Sequence, residues 1–227
     1  MENEPGYEPA STVEYVDHMG DDLSIVNAAR VSRGKRKEVF DDDDVRLLAY
    51  LVKNEHTSPF RHAFVTLRVT CPIFVERQWF KHQVGCAANS ISGRYVQYNL
   101  GYWVPTTLRK SSPAIKQGSL EEPVEHHEEA LQLYRETCEH VWTVYERMIN
   151  EYGVCKEQAR SLLGLNTNTQ FIFSASIQAW FHFYRLRTSE HAQTEIREYA
   201  HKVGEIVGGL FPHTWECLLE HGISHGI

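Results

Sequence analysis

Apolar positions recur along the chain with two periods, and the switches between them mark out the elements. From Leu23 to Ser32, LSIVNAARVS carries apolar residues at helical spacing behind Asp21 and Asp22, either of which can cap a helix through its carboxylate. Val45, Leu48 and Val52 repeat the pattern behind the acidic run Asp41 to Asp44, and carboxylates suit the positive end of a helix dipole. Thr12 to Val16 and Ala63 to Thr70 alternate instead, with Phe64, Val65, Leu67 and Val69 among polar neighbours, and read as strands. Lys53 to His62 between them is a turn carrying His56 and His62. Pro72, with its fixed φ and missing N–H, is expected to open a helix running through Arg77, Gln78, Lys81 and His82, before a small Gly/Ala-rich loop.

Further on, Tyr95 to Val104 reads as extended chain and Pro105 to Ser119 as a loop rich in Ser, Thr and Lys. The longest helical pattern, Glu121 to Tyr152, repeats His127, Leu131, Tyr134, Cys138, Val141, Tyr145 and Met148 until Gly153 breaks it. A short helix over Lys156 to Leu163 and a strand over Asn166 to Ser174 follow, then an aromatic-rich helix over Ala175 to Thr188. On that last helix Gln178, His182 and Arg185 share a stripe, which either lines a site or faces solvent with Trp180 turned inward. A helix from about His191 to Leu210 is expected to end at Gly208 and Gly209, and Pro212 opens another through Leu219.

Composition narrows the function. With 227 residues, 42% hydrophobic and 23% charged, the chain suits one globular domain over 12–227 behind a flexible, Glu/Pro/Gly-rich tail at 1–11. No apolar run reaches the roughly 18 residues of a membrane span and the first residues are polar, so a cytoplasmic protein without membrane contact is expected. The net charge of −7 argues against nucleic acid as a partner. Five scattered cysteines lack a C-x-x-C pair and indicate neither a disulfide framework nor zinc. The acidic run reads as a helix start and the group Glu125, His126 and Glu129 as a solvated face, so no metal is expected.

Chemistry concentrates between Pro72 and Tyr98. Arg77, Gln78, Lys81, His82 and Gln83 fall close together, and Asn89, Ser90, Ser92 and Arg94 follow. Guanidinium forks grip phosphate while amides and hydroxyls read ring edges, so the set suits a planar anionic ligand such as a nucleotide, the alternative being a solvated helix face. Cys86 is either a thiol activated by nearby cations or a packing cysteine. Neither a Rossmann glycine fingerprint nor a phosphate-binding loop is present.

At these residues the sequence resembles the flavin-dependent (alternative) thymidylate synthases, whose signature is Arg-His-Arg, seven residues, Ser, one residue, Arg. Here it reads Lys81-His82-Gln83, eight residues, Ser92, Gly93, Arg94. GDDLSIVNAARVS, HTSPFRH, PIFVERQWF, EQARSLLGLNTNTQF and RLRTSEHAQTEIREYA are similar to the family as well, in order from Gly20 to Pro212. The resemblance implies an α+β fold with a mixed sheet and long helices, assembled as a homotetramer whose active sites are shared between subunits. It further implies FAD, NADPH and 5,10-methylenetetrahydrofolate, with a one-carbon unit transferred to C5 of dUMP. Carried over, Arg77, Gln78, Ser92, Arg94, Arg160 and Arg187 would hold the nucleotide, with Ser92 and Arg187 taking part in catalysis. His56, Ser58, Lys81, His82, Gln83, Ser90, Gln178, His182 and His191 would face the cofactors. The chain departs from the family at Lys81 and Gln83, at Ser90 where a glutamate is usual, and at Ser176 and His182 where asparagines are common. Two alternatives accompany these departures: C5 methylation or hydroxymethylation of another pyrimidine nucleotide such as UMP, and a homologue that binds nucleotide without catalysis.

Overall fold

The computed structural model describes residues 12–111 and 118–222. The tail expected at 1–11 and part of the 105–119 loop lie outside them. The elements run β1 (Thr12–Met19), α1 (Asp22–Arg30), α2 (Asp42–Lys53), β2 (Phe64–Pro72), α3 (Ile73–Trp79), β3 (Cys86–Ser90), α4 (His127–Asn150), α5 (Lys156–Ala159), β4 (Asn168–Ser176), α6 (Ile177–Arg187), α7 (Thr194–Leu210) and α8 (Pro212–His221).

The first helices begin where the acidic side chains place them. Asp21 accepts from Ser24 N at 2.7 Å while its own N–H donates to Ser24 Oγ, and Asp41 and Asp44 repeat this reciprocal cap on α2. Asp44 is fully buried but paired with Arg30 and, at 2.9 Å, with Lys37. The acidic run is thus spent on a helix start and on ion pairs.

Four strands form one sheet in the order β1-β2-β4-β3. All three pairs are antiparallel, which corrects the expectation of a mixed sheet. Two helices, α1 and α2, separate β1 from β2 and return the chain reversed, whereas β2 and β3, joined through the single α3, point the same way but are held apart by β4. The register sets Val65 opposite Ala175, Leu67 opposite Phe173 and Val69 opposite Phe171, so one face is apolar. Helices cover that face. Trp79 of α3 and Phe183 of α6 pack at 4.3 Å between ring centroids, and Trp180 donates its indole N–H to Val65 O at 3.0 Å. Each such buried ring contributes roughly 1.5–3 kcal/mol of transfer free energy. The other face carries Thr66, Arg68, Gln170 and Ser174, with Thr66 and Ser174 hydroxyls bonded across strands at 2.8 Å. A second cluster, Tyr98, Tyr102, Trp142 and Tyr145, packs α4 against the segment beyond β3, and Tyr98 N–H donates to the Tyr145 hydroxyl at 2.8 Å.

Several boundaries differ from the sequence pattern. The Gly/Ala-rich stretch is partly a strand, because Cys86 to Ser90 pairs with Ala175 to Phe171. Pro72 caps α3 from an extended conformation, and α3 stops at Trp79. The turn that follows, with His82 N bonded to Trp79 O at 3.0 Å, swings His82 toward α6 and off the helix face it was expected to share with Gln78. The long helix α4 starts at His127, after His126 in a left-handed conformation, so 121–126 is not helical. Gly208 and Gly209 lie inside the last turn of α7 rather than ending it; a Cβ at Gly208 would press into the Trp215 ring of α8 at 2.8 Å.

Candidate functional site

Antiparallel β2 and β4 send α3 and α6 off opposite ends of the sheet, and both helices pack back over its apolar face, where Trp79 meets Trp180 and Phe183; several of the expected site residues lie around α3. Glu76 and Gln78 lie about 200° apart around its axis, so they face opposite sides.

On one side stands Arg187, the last residue of α6. Its Nε–H donates to His82 Nε2 at 3.0 Å and its Nη2–H to Gln78 O at 2.9 Å. Burial lowers its pKa from the ordinary guanidinium value. Burial also pushes His82 down to about 4, helped by the charge of Arg187 and by His182, whose ring lies 5.7 Å away. His82 is therefore neutral at physiological pH, and a neutral imidazole can accept the Arg187 N–H. His182 is lowered for the same reasons, burial first and then Arg185 and Arg187. The Gln78 side chain donates to Gln193 Oε1 at 2.7 Å, and Gln193 donates to Glu195 Oε2 at 2.8 Å. Gln193 and Glu195 were not among the residues picked out from the sequence; the AQTE segment in the family resemblance was the signal that could have found them.

On the other side Ser90 Oγ donates to Glu76 Oε1 at 2.5 Å. Burial raises the Glu76 pKa, while the Ser90 hydrogen bond and the nearby Arg77 pull it down. A carboxylate therefore stands against position 90 although residue 90 carries none, and the sequence offered no pattern linking the two. Just beyond, Arg94 N–H donates to Ser92 Oγ at 3.3 Å and Arg94 Nε–H to Glu157 Oε2 at 3.3 Å. Gly93 is buried against the Tyr98 ring, into which an added Cβ would run, and the Arg160 stem lies alongside, its Cδ 3.0 Å from that Cβ position, so glycine is what lets the chain pass here.

Other expected residues are not drawn in. Arg77, Lys81 and Gln83 are exposed. His56 stacks edge-on against Tyr50 at 5.7 Å, and Ser58 opens the short 3-10 turn that packs on α6. His191 is exposed; its ring lies 3.8 Å from Glu190 and its N–H donates to Ser189 Oγ at 3.3 Å. Cys86 is no activated thiol, because burial pushes its pKa up to about 11 and its Sγ–H points at Val84 O. All five cysteines are free. Among the described residues no group of three or more His, Cys, Asp or Glu side chains could hold a metal ion, and no helix is long and apolar enough to cross a membrane.

The structure can be tested for a flavin through its donor set. Gln178 on the first turn of α6 has a buried Oε1 without a hydrogen-bond partner among the described residues; His182 lies one turn further along the same helix, and Ser58 and His82 border it. A buried acceptor awaiting a donor, beside neutral imidazoles, fits a ring system carrying N–H and carbonyl groups. A cleft of about 330 Å³ opens behind α3, with Trp103, Arg109, Glu195 and Lys202 among its lining residues.

Known proteins resemble this chain over most of its length. The family model described as thymidylate synthase complementing protein matches residues 14–213. A flavin-dependent thymidylate synthase of Thermus thermophilus is 40% identical over 209 residues, covering 92% of this chain and 76% of that protein. One from Thermosipho melanesiensis is 37% identical over 206 residues, 90% of this chain and 89% of the relative. Among solved structures, a UMP/dUMP methylase, PolB from Streptomyces cacaoi bound with 5-Br dUMP, superposes with a TM-score of 0.84 at 28% identity, covering 95% of this chain and 97% of that one. The same methylase bound with 5-Br UMP also gives 0.84, at 26% identity.

Proposed function

Since the chain belongs to the thymidylate synthase complementing protein family, whose curated relatives are flavin-dependent thymidylate synthases, we propose that it transfers a one-carbon unit from 5,10-methylenetetrahydrofolate to C5 of dUMP. FAD, reduced by NADPH, supplies the hydride chemistry when bound. The observation that carries the reading is Arg187, a guanidinium fixed by two acceptors beside a neutral histidine. A preoriented cation next to a pyrimidine carbonyl stabilises the negative charge that develops on the ring as C5 becomes nucleophilic, and it needs no reorganisation during the reaction.

Ser92, Arg94 and Arg160 suit the phosphate and sugar end of the nucleotide, with Arg77 close by in sequence to Glu76. Gln78 and Arg187 suit the uracil edge, and Ser58, Gln178, His182 and His82 the flavin, with Lys81, Gln83, Ser90, His56 and His191 on its periphery. Because the two groups face opposite sides of α3, a complete site draws on more than one chain, and a cytoplasmic homotetramer with FAD and folate between subunits is the assembly that supplies it.

The deciding experiment is an anaerobic assay with FAD, NADPH, methylenetetrahydrofolate and dUMP. Yellow protein forming dTMP is the expected result; protein that neither retains flavin nor turns over would sink the reading. A second reading is C5 methylation or hydroxymethylation of UMP, and the PolB neighbour, a UMP/dUMP methylase, supports its methylation form. UMP run beside dUMP in the same assay separates the two. A homologue without catalysis is not retained, because the family is one of enzymes.

A further inference from the structure

Behind the Gln78 side chain lies a continuous row of hydrogen bonds that ends in the cleft. Arg109, 23% exposed, donates through Nη2 to Glu195 Oε1 at 2.8 Å, and Glu195 is only 13% exposed. The Nε–H of Arg109 is held by Ser119 Oγ at 2.7 Å, so the guanidinium is fixed from both ends. The other carboxylate oxygen, Glu195 Oε2, accepts from Gln193 Nε2 at 2.8 Å, and Gln193 Oε1 accepts from Gln78 Nε2 at 2.7 Å.

The direction of this row is dictated by chemistry. A carboxylate paired with a guanidinium only accepts hydrogen bonds, so Gln193 must present its NH2 to Glu195 and its carbonyl oxygen to Gln78. Gln78 must then present its own NH2 to Gln193. The remaining amide hydrogen of Gln78 lies toward Phe74 O at 3.5 Å, which leaves Oε1 as the atom turned to a ligand. An outward acceptor takes a ring N–H. Uracil has one at N3, whereas cytosine has a bare acceptor there.

We propose that Arg109 and Glu195 are positioning residues that lock the amide orientation of Gln193 and hence of Gln78, and so bias the site toward uracil over cytosine nucleotides. The inference rests on reading the site as one for pyrimidine nucleotides. Neither residue is assigned a contact with the ring. Their effect passes through two amides, each of which would otherwise be free to flip by 180° at little cost.

Calorimetric titration of the full-length protein with dUMP and dCMP tests this without needing turnover. In Glu195→Gln the terminal group can donate as well as accept, so the row can reverse; the preference for dUMP over dCMP should fall about tenfold, the worth of one hydrogen bond. Arg109→Ala leaves Glu195 an acceptor but removes its anchor, so the preference should fall by a smaller factor, and Glu195→Asp should retain most of it. Melting temperatures measured alongside report folding. An unchanged dUMP-to-dCMP ratio in Glu195→Gln, or equal weakening of the two ligands, overturns the inference and leaves the nucleotide reading standing. If the wild-type protein binds neither nucleotide, that reading falls and the inference with it.

Discussion

Arg187 is held by two acceptors of different kinds, a backbone carbonyl and an imidazole, and each constrains a different arm of the guanidinium. Arg187→Ala should lower kcat about 10²–10³-fold, in the range seen for loss of one preorganised donor, while the apolar core and the melting temperature stay nearly unchanged. Arg187→Lys keeps the charge but not the fork, so steady-state kinetics should show only partial recovery. His82 adds a pH dependence. Its folded pKa, about 4, lies below the ordinary 6.5, so below about 6.5 the unfolded chain binds the extra proton first. The stability contributed by neutral His82 is complete above that value and is lost as pH falls toward 4. Thermal melts across that window should show a falling limb that His82→Gln flattens. The sequence singled out Gln78, His82 and Arg187 through the family resemblance, but not the bonds that join Arg187 to the other two. The bond from Glu76 to Ser90 was not legible either, since it joins a helix and a strand through side chains that no periodicity relates.

At the scale of elements, the sequence served best where a helix announces its own start. Asp21 and Asp41 cap α1 and α2 as their positions suggest. It served worst at β3, whose residues CAANS are small or polar and have little strand propensity; only pairing with β4 makes them a strand. The start of α4 was misplaced for a related reason, because Glu121 to His126 has helix-forming residues but is bound instead to 108–111, with Lys110 N on Glu122 O at 3.0 Å. One cap was hidden entirely. Asp22, inside α1, accepts from the N–H groups of His213 and Thr214 at 3.1 and 3.0 Å, and so caps α8 from a distant part of the chain. Pro212 opens α8 without a local side-chain cap, which leaves Asp22 to satisfy the exposed donors. Asp22→Ala should cost about 1–2 kcal/mol and lower the melting temperature by a few degrees, with flavin binding unchanged. Differential scanning calorimetry checks it.

For the whole molecule, helices gather on one face of a single antiparallel sheet, and Arg187 meets Gln78 and His82 at the far end of α3. The α+β class came with the family resemblance, and the helices and strands of the structure agree with it. The strand order was not legible, because β4 inserts between β2 and β3 from far along the chain, and contacts at that separation leave no local mark. The two outer strands have different characters. β1 breaks step with β2 between Tyr15 and Asp17 and carries Glu14 and Asp17, the charges and bulge that keep a sheet edge from recruiting another strand. β3 has neither device. Its outward backbone groups sit behind exposed Ala87, Ala88 and Asn89, so an isolated subunit carries one guarded border and one adhesive border. Storage at high concentration should therefore produce cross-β aggregates growing from β3, and Ala88→Lys should delay their appearance in thioflavin fluorescence.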